Sequence, residues 1–175
     1  MSNAKQVGDS FEAVIRKSAK AQNRLGLVLD QTTVGVNVRR IGPGGEVRGR
    51  VRGKADVDFV GDYMALKVRF DAKSTASATS FPLKDIRRNQ VKRIRDLHGR
   101  GGAAFFLLEL RATGTYWAMP WPFLKSYWNE FDMYGEPASI PFDAIRAGCI
   151  PVTRTGALLD LVTVIKTLQE RREAA

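Results

Sequence analysis

One cysteine and one histidine, Cys149 and His98, are all that this sequence of 175 residues has of either type. A disulfide within the chain is therefore impossible, and a zinc site built from Cys and His ligands of one chain is excluded by supply. Cys–His and Ser–His–Asp catalysis would each have to rely on the same single imidazole. Cys149 is read instead as a small buried side chain, and His98 as a helix-end residue before Gly99. No apolar run is long enough to span a bilayer, and the opening MSNAKQVGDS has no apolar stretch of the signal-peptide kind. A reducing, cytoplasmic setting without a membrane role is expected. The glycines of Gly42-Pro-Gly-Gly45 are not followed by Gly-Lys-Ser/Thr and open no helix, which argues against a phosphate-cradling nucleotide loop.

Acidic residues are also in short supply. Lys and Arg total 28 against 18 for Asp and Glu, a formal net charge of +10. A surplus of that size attracts polyanions, of which nucleic acid is the commonest. A membrane surface is the rival, but the basic residues fall in a predicted hairpin and on a helix without a bulky apolar face. Length and composition fit one domain, residues 1–175, with an ordinary core.

Along the chain, Phe11, Val14, Ile15, Ser18, Ala19 and Gln22 keep helical spacing and predict a helix from Asp9 to about Arg24. Asp9 is the expected N-cap, with Glu12 three residues on as in a capping box. An extended segment starts at Leu27. Valines on either side of the Gly/Pro cluster predict a two-stranded hairpin over 34–54, a basic finger carrying Arg39, Arg40, Arg48, Arg50, Arg52 and Lys54. Two strands follow between Ala55 and Ser74, with the turn or bulge placed at Gly61-Asp62. Residues 74–80 read as a mobile polar linker. A helix is expected from Leu83 to Leu97, with Leu83, Ile86, Gln90, Ile94 and Leu97 on its inner stripe. The apolar run Ala103–Leu110 predicts a central buried strand, and Tyr116–Met119 its neighbour. Pro120-Trp-Pro122 breaks the pattern before a helix from Phe123 to about Phe131, and a last amphipathic helix spans 157–172. The fold class is therefore mixed α+β, a mixed sheet flanked by helices.

The chemistry-bearing strand is Lys67-Val-Arg-Phe-Asp-Ala-Lys73. Alternation puts Val68, Phe70 and Ala72 on one face and Asp71 and Lys73 on the other, about 6.5–7 Å apart along the backbone. Hydrolysis of a phosphodiester by a metal nuclease needs acidic oxygens for the metal, an attacking water and a cation near the developing charge. Asp71 and Lys73 supply a carboxylate and an ammonium. Asp58, on the preceding strand, is expected beside Asp71, and two carboxylates facing one pocket repel unless a cation lies between them. Asp56 has the same strand parity as Asp58, so alternation leaves both open. A polar amide at Gln90, in the middle of an apolar stripe, is unexpected for a core face.

Four consecutive motifs resemble the RecU-type Holliday junction resolvases of the PD-(D/E)XK nuclease superfamily. They are Gly8-Asp-Ser-Phe11-Glu12, Asp58-Phe59-Val60-Gly61, Phe70-Asp71-Ala72-Lys73-Ser74, and Phe81-Pro82-Leu83 followed by Asn89-Gln90. The resemblance runs in order over residues 8–125. It implies a restriction-endonuclease-like fold with the hairpin as a protruding stalk that enters a four-way junction. It implies Asp58 and Asp71 as ligands of Mg²⁺ or Mn²⁺, Lys73 as the catalytic lysine, and Glu12 as a glutamate supporting the metal or its water. Gln90 would hydrogen-bond to the metal's water or to Lys73. The second ligand is Asp71 where many relatives have Glu, and Asn89 stands where the family often has His.

The expected activity is symmetric nicking of four-way DNA junctions by a homodimer, without a covalent intermediate. Phosphates would be met by the hairpin and by Lys84, Arg87, Arg88 and Lys92, with Arg93 and Arg95 in the same cluster; such contacts give affinity with little sequence information. Another nuclease of the superfamily, acting in restriction or repair, and a non-catalytic DNA binder of the same fold are the alternatives. Tyr116, Trp117, Trp121, Phe123, Tyr127 and Trp128 are expected in core or dimer packing rather than stacked on bases.

Overall fold

The computed structural model describes the backbone of residues 3–32, 36–41, 47–51 and 57–174, and side chains within 10–32 and 57–174. In chain order the elements are α1 (Asn3–Gln22), β1 (Leu27–Gln31), β2 (Val36–Ile41), β3 (Val47–Val51), β4 (Phe59–Tyr63), β5 (Leu66–Thr75), β6 (Ser80–Pro82), α2 (Arg88–Gly99), β7 (Ala103–Leu110) and β8 (Thr115–Pro120). There follow α3 (Trp121–Tyr134), β9 (Ser139–Pro141), α4 (Phe142–Gly148), β10 (Ile150–Pro151), β11 (Arg154–Thr155), β12 (Leu158–Leu159) and α5 (Leu161–Glu173).

A six-stranded sheet in the order β1-β4-β5-β7-β8-β10 forms the centre. Only β5 and β7 run parallel; the other neighbours are antiparallel. A parallel step cannot be closed by a tight turn, and the crossover from β5 to β7 is provided by β6 and α2. That crossover lays α2 over the face of β5 that carries Asp71.

Alternation along the strands divides the core into two layers. Phe59, Val68, Phe70, Phe105 and Leu107 pack with Phe11, Ile15 and Ala19 of α1 and with Leu161, Val164 and Ile165 of α5. On the other face Ala104, Phe106 and Leu108 pack with Val91 and Ile94 of α2, Leu124 and Trp128 of α3, and Ile145 of α4. Phe59, Phe70 and Phe105 stack across three strands, with ring centroids 5.0 and 4.8 Å apart. Tyr116, Trp121 and Trp128 are buried, and Trp117, Phe123 and Tyr127 pack against the core, so the aromatics serve packing. Cys149 is buried, as its composition suggests.

Several elements differ from the sequence-based expectation. Helix α1 begins at Asn3, so Asp9 lies inside it and is not its N-cap. The reversal between β4 and β5 falls at Met64-Ala65, with Met64 at a φ of 51°, and not at Gly61-Asp62, which are paired residues of β4. Gly61 is small for another reason: a Cβ there would sit 1.9 Å from the carbonyl oxygen of Val28 on β1. Strand β5 reaches Thr75, and the linker after it is short and hydrogen-bonded, with Thr79 and Ser80 N–H both donating to Ser77 Oγ.

The expected helix from Leu83 is split into a 3-10 turn, Leu83–Asp85, and α2 proper. Pro120-Trp-Pro122 starts α3 rather than breaking before it, because a proline in the first turn forfeits no intrahelical bond. The last helix begins at Leu161, capped by Asp160 Oδ1 accepting from Thr163 N–H at 3.0 Å, while Leu158 belongs to β12. Strands β2 and β3 form their own two-stranded antiparallel sheet, in agreement with the basic hairpin, with an irregularity between Val38 and Arg40. Among the described residues no helix is long and apolar enough to cross a membrane.

Candidate active site

Register brings the two aspartates together. The ladder ends at Phe59 with Phe70, and extending it by one residue places Asp58, just before β4, beside Asp71. Asp71, on the face of β5 opposite Phe70, points away from the phenylalanine stack and toward α2. Asp58 Oδ2 accepts the backbone N–H of Ala72 at 2.9 Å, which fixes it beside β5. The backbone of Thr32, which follows β1, donates to Asp58 O at 2.8 Å.

Asp71 is fully buried, and Lys73, two residues on and on the same face, is 14% exposed with Nζ 2.6 Å from Asp71 Oδ1. The contact sets an ammonium directly against the buried carboxylate. Gln90, buried on α2, donates from Nε2 to Asp71 Oδ2 at 2.6 Å. Its Oε1 accepts the backbone N–H of Arg87 at 3.0 Å, as an N3 glutamine does at a helix start. The unexpected amide on the apolar stripe thus has two partners, and it holds Asp71 itself rather than Lys73.

Burial is the largest influence on Asp71 and pushes its carboxyl up to about 7; Lys73 opposes this, and the neighbouring Asp58 adds to it. Arg87 also pulls it down, which places a guanidinium charge within electrostatic reach of the site. A buried carboxylate, a second carboxylate across the ladder and hard oxygen donors fit a divalent ion of the Mg²⁺ or Mn²⁺ kind, whose charge would remove both penalties at once.

Glu12 stands apart. Its Oε2 accepts from Gln31 Nε2, and Arg16 Nη1 donates to Gln31 Oε1, so Glu12 is tied to β1 on the α1 side of the sheet. Among the described residues no three acidic, His or Cys side chains converge as a ligand group, so Glu12 does not join the aspartate pair. Asp56, Arg52 and Lys54 lie outside the described residues. Arg39, Arg40, Arg48 and Arg50 occupy the paired strands β2 and β3, with Arg40 opposite Arg48; their side chains lie outside the described residues. Lys84, Arg87, Arg88 and Lys92 are exposed, but Arg88 is engaged by Asp132 at 2.5 Å.

One residue beside the site has no signal in the sequence. Thr32 sits across from Asp58 on the β1 side, and its buried Oγ1 has no hydrogen-bond partner among the described residues. A Thr-Thr pair after a short strand reads as an ordinary loop start, and only the register reveals its neighbour.

Comparison with known proteins gives the chain's family. Residues 6–167 match the family described as RecU, Recombination protein U. The chain is 27% identical over 111 residues to a protein of Bacillus pumilus named Holliday junction resolvase RecU, covering 63% of this chain and 53% of that one. It is 32% identical over 89 residues to the protein of that name from Oceanobacillus iheyensis, covering 51% and 45%. A third, from Staphylococcus carnosus, is 29% identical over 80 residues, 46% of this chain and 38% of that one. The matched segments thus span about half or less of these relatives.

Proposed function

The chain belongs to the RecU family, and from that premise we propose that it is a divalent-metal-dependent endonuclease that resolves four-way DNA junctions. The observation that carries the reading is the register that sets Asp58 against Asp71, with Lys73 and Gln90 closing around the buried carboxylate.

Asp58 and Asp71 would hold the ion, Mg²⁺ or Mn²⁺. Bound there, it supplies charge to polarise the scissile phosphate and to favour ionisation of water at neutral pH. Gln90 keeps Oδ2 of Asp71 in one orientation by anchoring it to the first turn of α2. Lys73, 2.6 Å from Asp71 and still partly exposed, is the group placed to meet a non-bridging phosphate oxygen as negative charge develops. Arg87 adds a second positive charge within electrostatic reach of Asp71. Glu12 acts on the arrangement through Gln31 and β1 rather than as a ligand.

The surplus of positive charge favours a DNA backbone as the partner, and the β2–β3 hairpin with Lys84, Arg87, Arg88 and Lys92 supplies phosphate contacts that read shape more than sequence. A homodimer would present two such sites to opposing strands of a junction, as two-fold symmetry requires for paired nicks.

The test incubates wild type and Asp71→Ala with labelled four-way junction and with linear duplex, in Mg²⁺ or in EDTA. Symmetric nicks on the junction alone, dependent on Mg²⁺ and lost in the variant, are expected. Equal cutting of both substrates would instead indicate a general nuclease of the superfamily. Replacing the segment from Arg40 to Arg50 should damage junction cleavage more than metal binding, and unchanged cleavage would refute its role as a stalk.

A further inference from the structure

One buried oxygen near the site is unsatisfied among the described residues. Among the described residues Thr32 Oγ1 has no hydrogen-bond partner, while Asp71 Oδ1 faces the ammonium of Lys73 at 2.6 Å. Buried polar atoms are nearly always paired, so a hydroxyl left unpaired among the described residues asks for a further partner.

The ladder shows where Thr32 points. In β1 the odd-numbered positions face α1: Leu27 pairs with Tyr63, Leu29 with Gly61 and Gln31 with Phe59, and Leu27, Phe59 and Tyr63 all belong to the α1-side core. Thr32 is therefore on the opposite face. Its backbone N–H bonds to Asp58 O, which continues the pairing one step and puts Thr32 opposite Asp58. Continuing the two ladders one step beyond Gln31–Phe59–Phe70 places Thr32, Asp58 and Asp71 in one row, beside Lys73 and Gln90. Neighbouring strands are about 4.8 Å apart. From there a hydroxyl beside Asp58 reaches the ion held by Asp58, or a water of its shell.

We propose that the Thr32 hydroxyl is a third oxygen of the divalent-cation site, an assignment that rests on the cation reading of the aspartate pair. A hard, strongly hydrated ion keeps several waters when only two carboxylates hold it. A hydroxyl unengaged by the described residues accepts a hydrogen bond from one of those waters, or takes its place on the ion.

Four proteins decide the matter: wild type, Thr32→Val, Thr32→Ser and Asp71→Ala. Each is titrated with Mn²⁺ by calorimetry, and its melting temperature is recorded in EDTA. Thr32→Val keeps the shape and removes the oxygen; Thr32→Ser keeps the oxygen. Mn²⁺ affinity should fall about tenfold in Thr32→Val, the lower end of what partners outside the ligand set contribute. It should return to within about twofold of wild type in Thr32→Ser, while the melting temperature of Thr32→Val in EDTA stays at or above that of wild type. Wild-type affinity in Thr32→Val, with binding lost in Asp71→Ala, overturns the assignment and leaves the aspartate site standing. Equal weakening in the Val and Ser variants, with both melting early in EDTA, makes Thr32 a packing residue and likewise overturns it. A wild type that takes up no Mn²⁺ removes the cation reading itself, and this assignment with it.

Discussion

Gln90 Nε2 donates to Asp71 Oδ2 at 2.6 Å, tying the first turn of α2 to the middle of β5. The bond joins the two elements that a parallel crossover must bring face to face, and both partners are buried. Gln90→Leu keeps the volume and removes the donor. It should destabilise the protein by about 1–3 kcal/mol, the usual cost of leaving a buried acceptor unmet. Junction cleavage should fall by about tenfold or more, since Asp71 loses its orientation. Urea melts and initial rates check both; a variant as stable and as active as wild type contradicts the positioning role.

Asp71 also sets a pH dependence. Its folded-state value of about 7 lies above the ordinary 3.8, so between these limits the folded protein binds the proton more tightly than the unfolded chain. The stabilising contribution is complete below pH 3.8 and is lost progressively as pH rises through 7. The metal-free protein should therefore lose stability from pH 5 to 7 more steeply than Asp71→Asn, by at most about 1.4 kcal/mol per pH unit. Mn²⁺ affinity should climb over the same interval, because the ion competes with that proton. Thermal melts in EDTA across the range decide it, and parallel curves for the two proteins would contradict the account.

Gly61 is required by a neighbour and not by a turn. With a Cβ 1.9 Å from Val28 O, Gly61→Ala must push β1 away from β4. A loss of about 2 kcal/mol or more is expected, together with weaker Mn²⁺ binding, because Asp58 lies just before β4. Chemical denaturation of the variant measures the first and calorimetry the second.

Burial pushes the Cys149 thiol up to about 12, against a weaker opposing pull from Arg171. Thiolate is the reactive form, so a disulfide reagent at pH 8 should leave the native protein unlabelled and modify one thiol after unfolding in urea. Rapid labelling of the native protein would show that α4 and its surroundings open freely.

Much of the site was legible in the sequence because it depends on alternation. Asp71 and Lys73 had to share a face of β5, and the amide of Gln90 stood out on an otherwise apolar helical stripe. The pairing of Asp58 with Asp71 was legible only in part. Gly-Asp reads as turn chemistry, yet a two-residue turn at Gly61-Asp62 would have set Asp58 opposite Ala65. The reversal at Met64-Ala65 is what aligns the aspartates, and its cause is long-range, since Gly61 is needed for the approach of β1. The short elements β9 to β12 and α4 left no trace either, being too brief to carry a period. Glu12 was misread in two ways. Helix α1 starts too early for a capping box, and the side chain is bound to Gln31 on the face away from Asp71.

The central claim is that a divalent ion lies between carboxylates of neighbouring strands, and an anomalous difference map from Mn²⁺-soaked crystals tests it most directly. The account predicts a peak between Asp58 and Asp71, on the side of Lys73 and Gln90, that disappears in Asp71→Ala. A map with no peak there, or with its only peak on other residues, would contradict it.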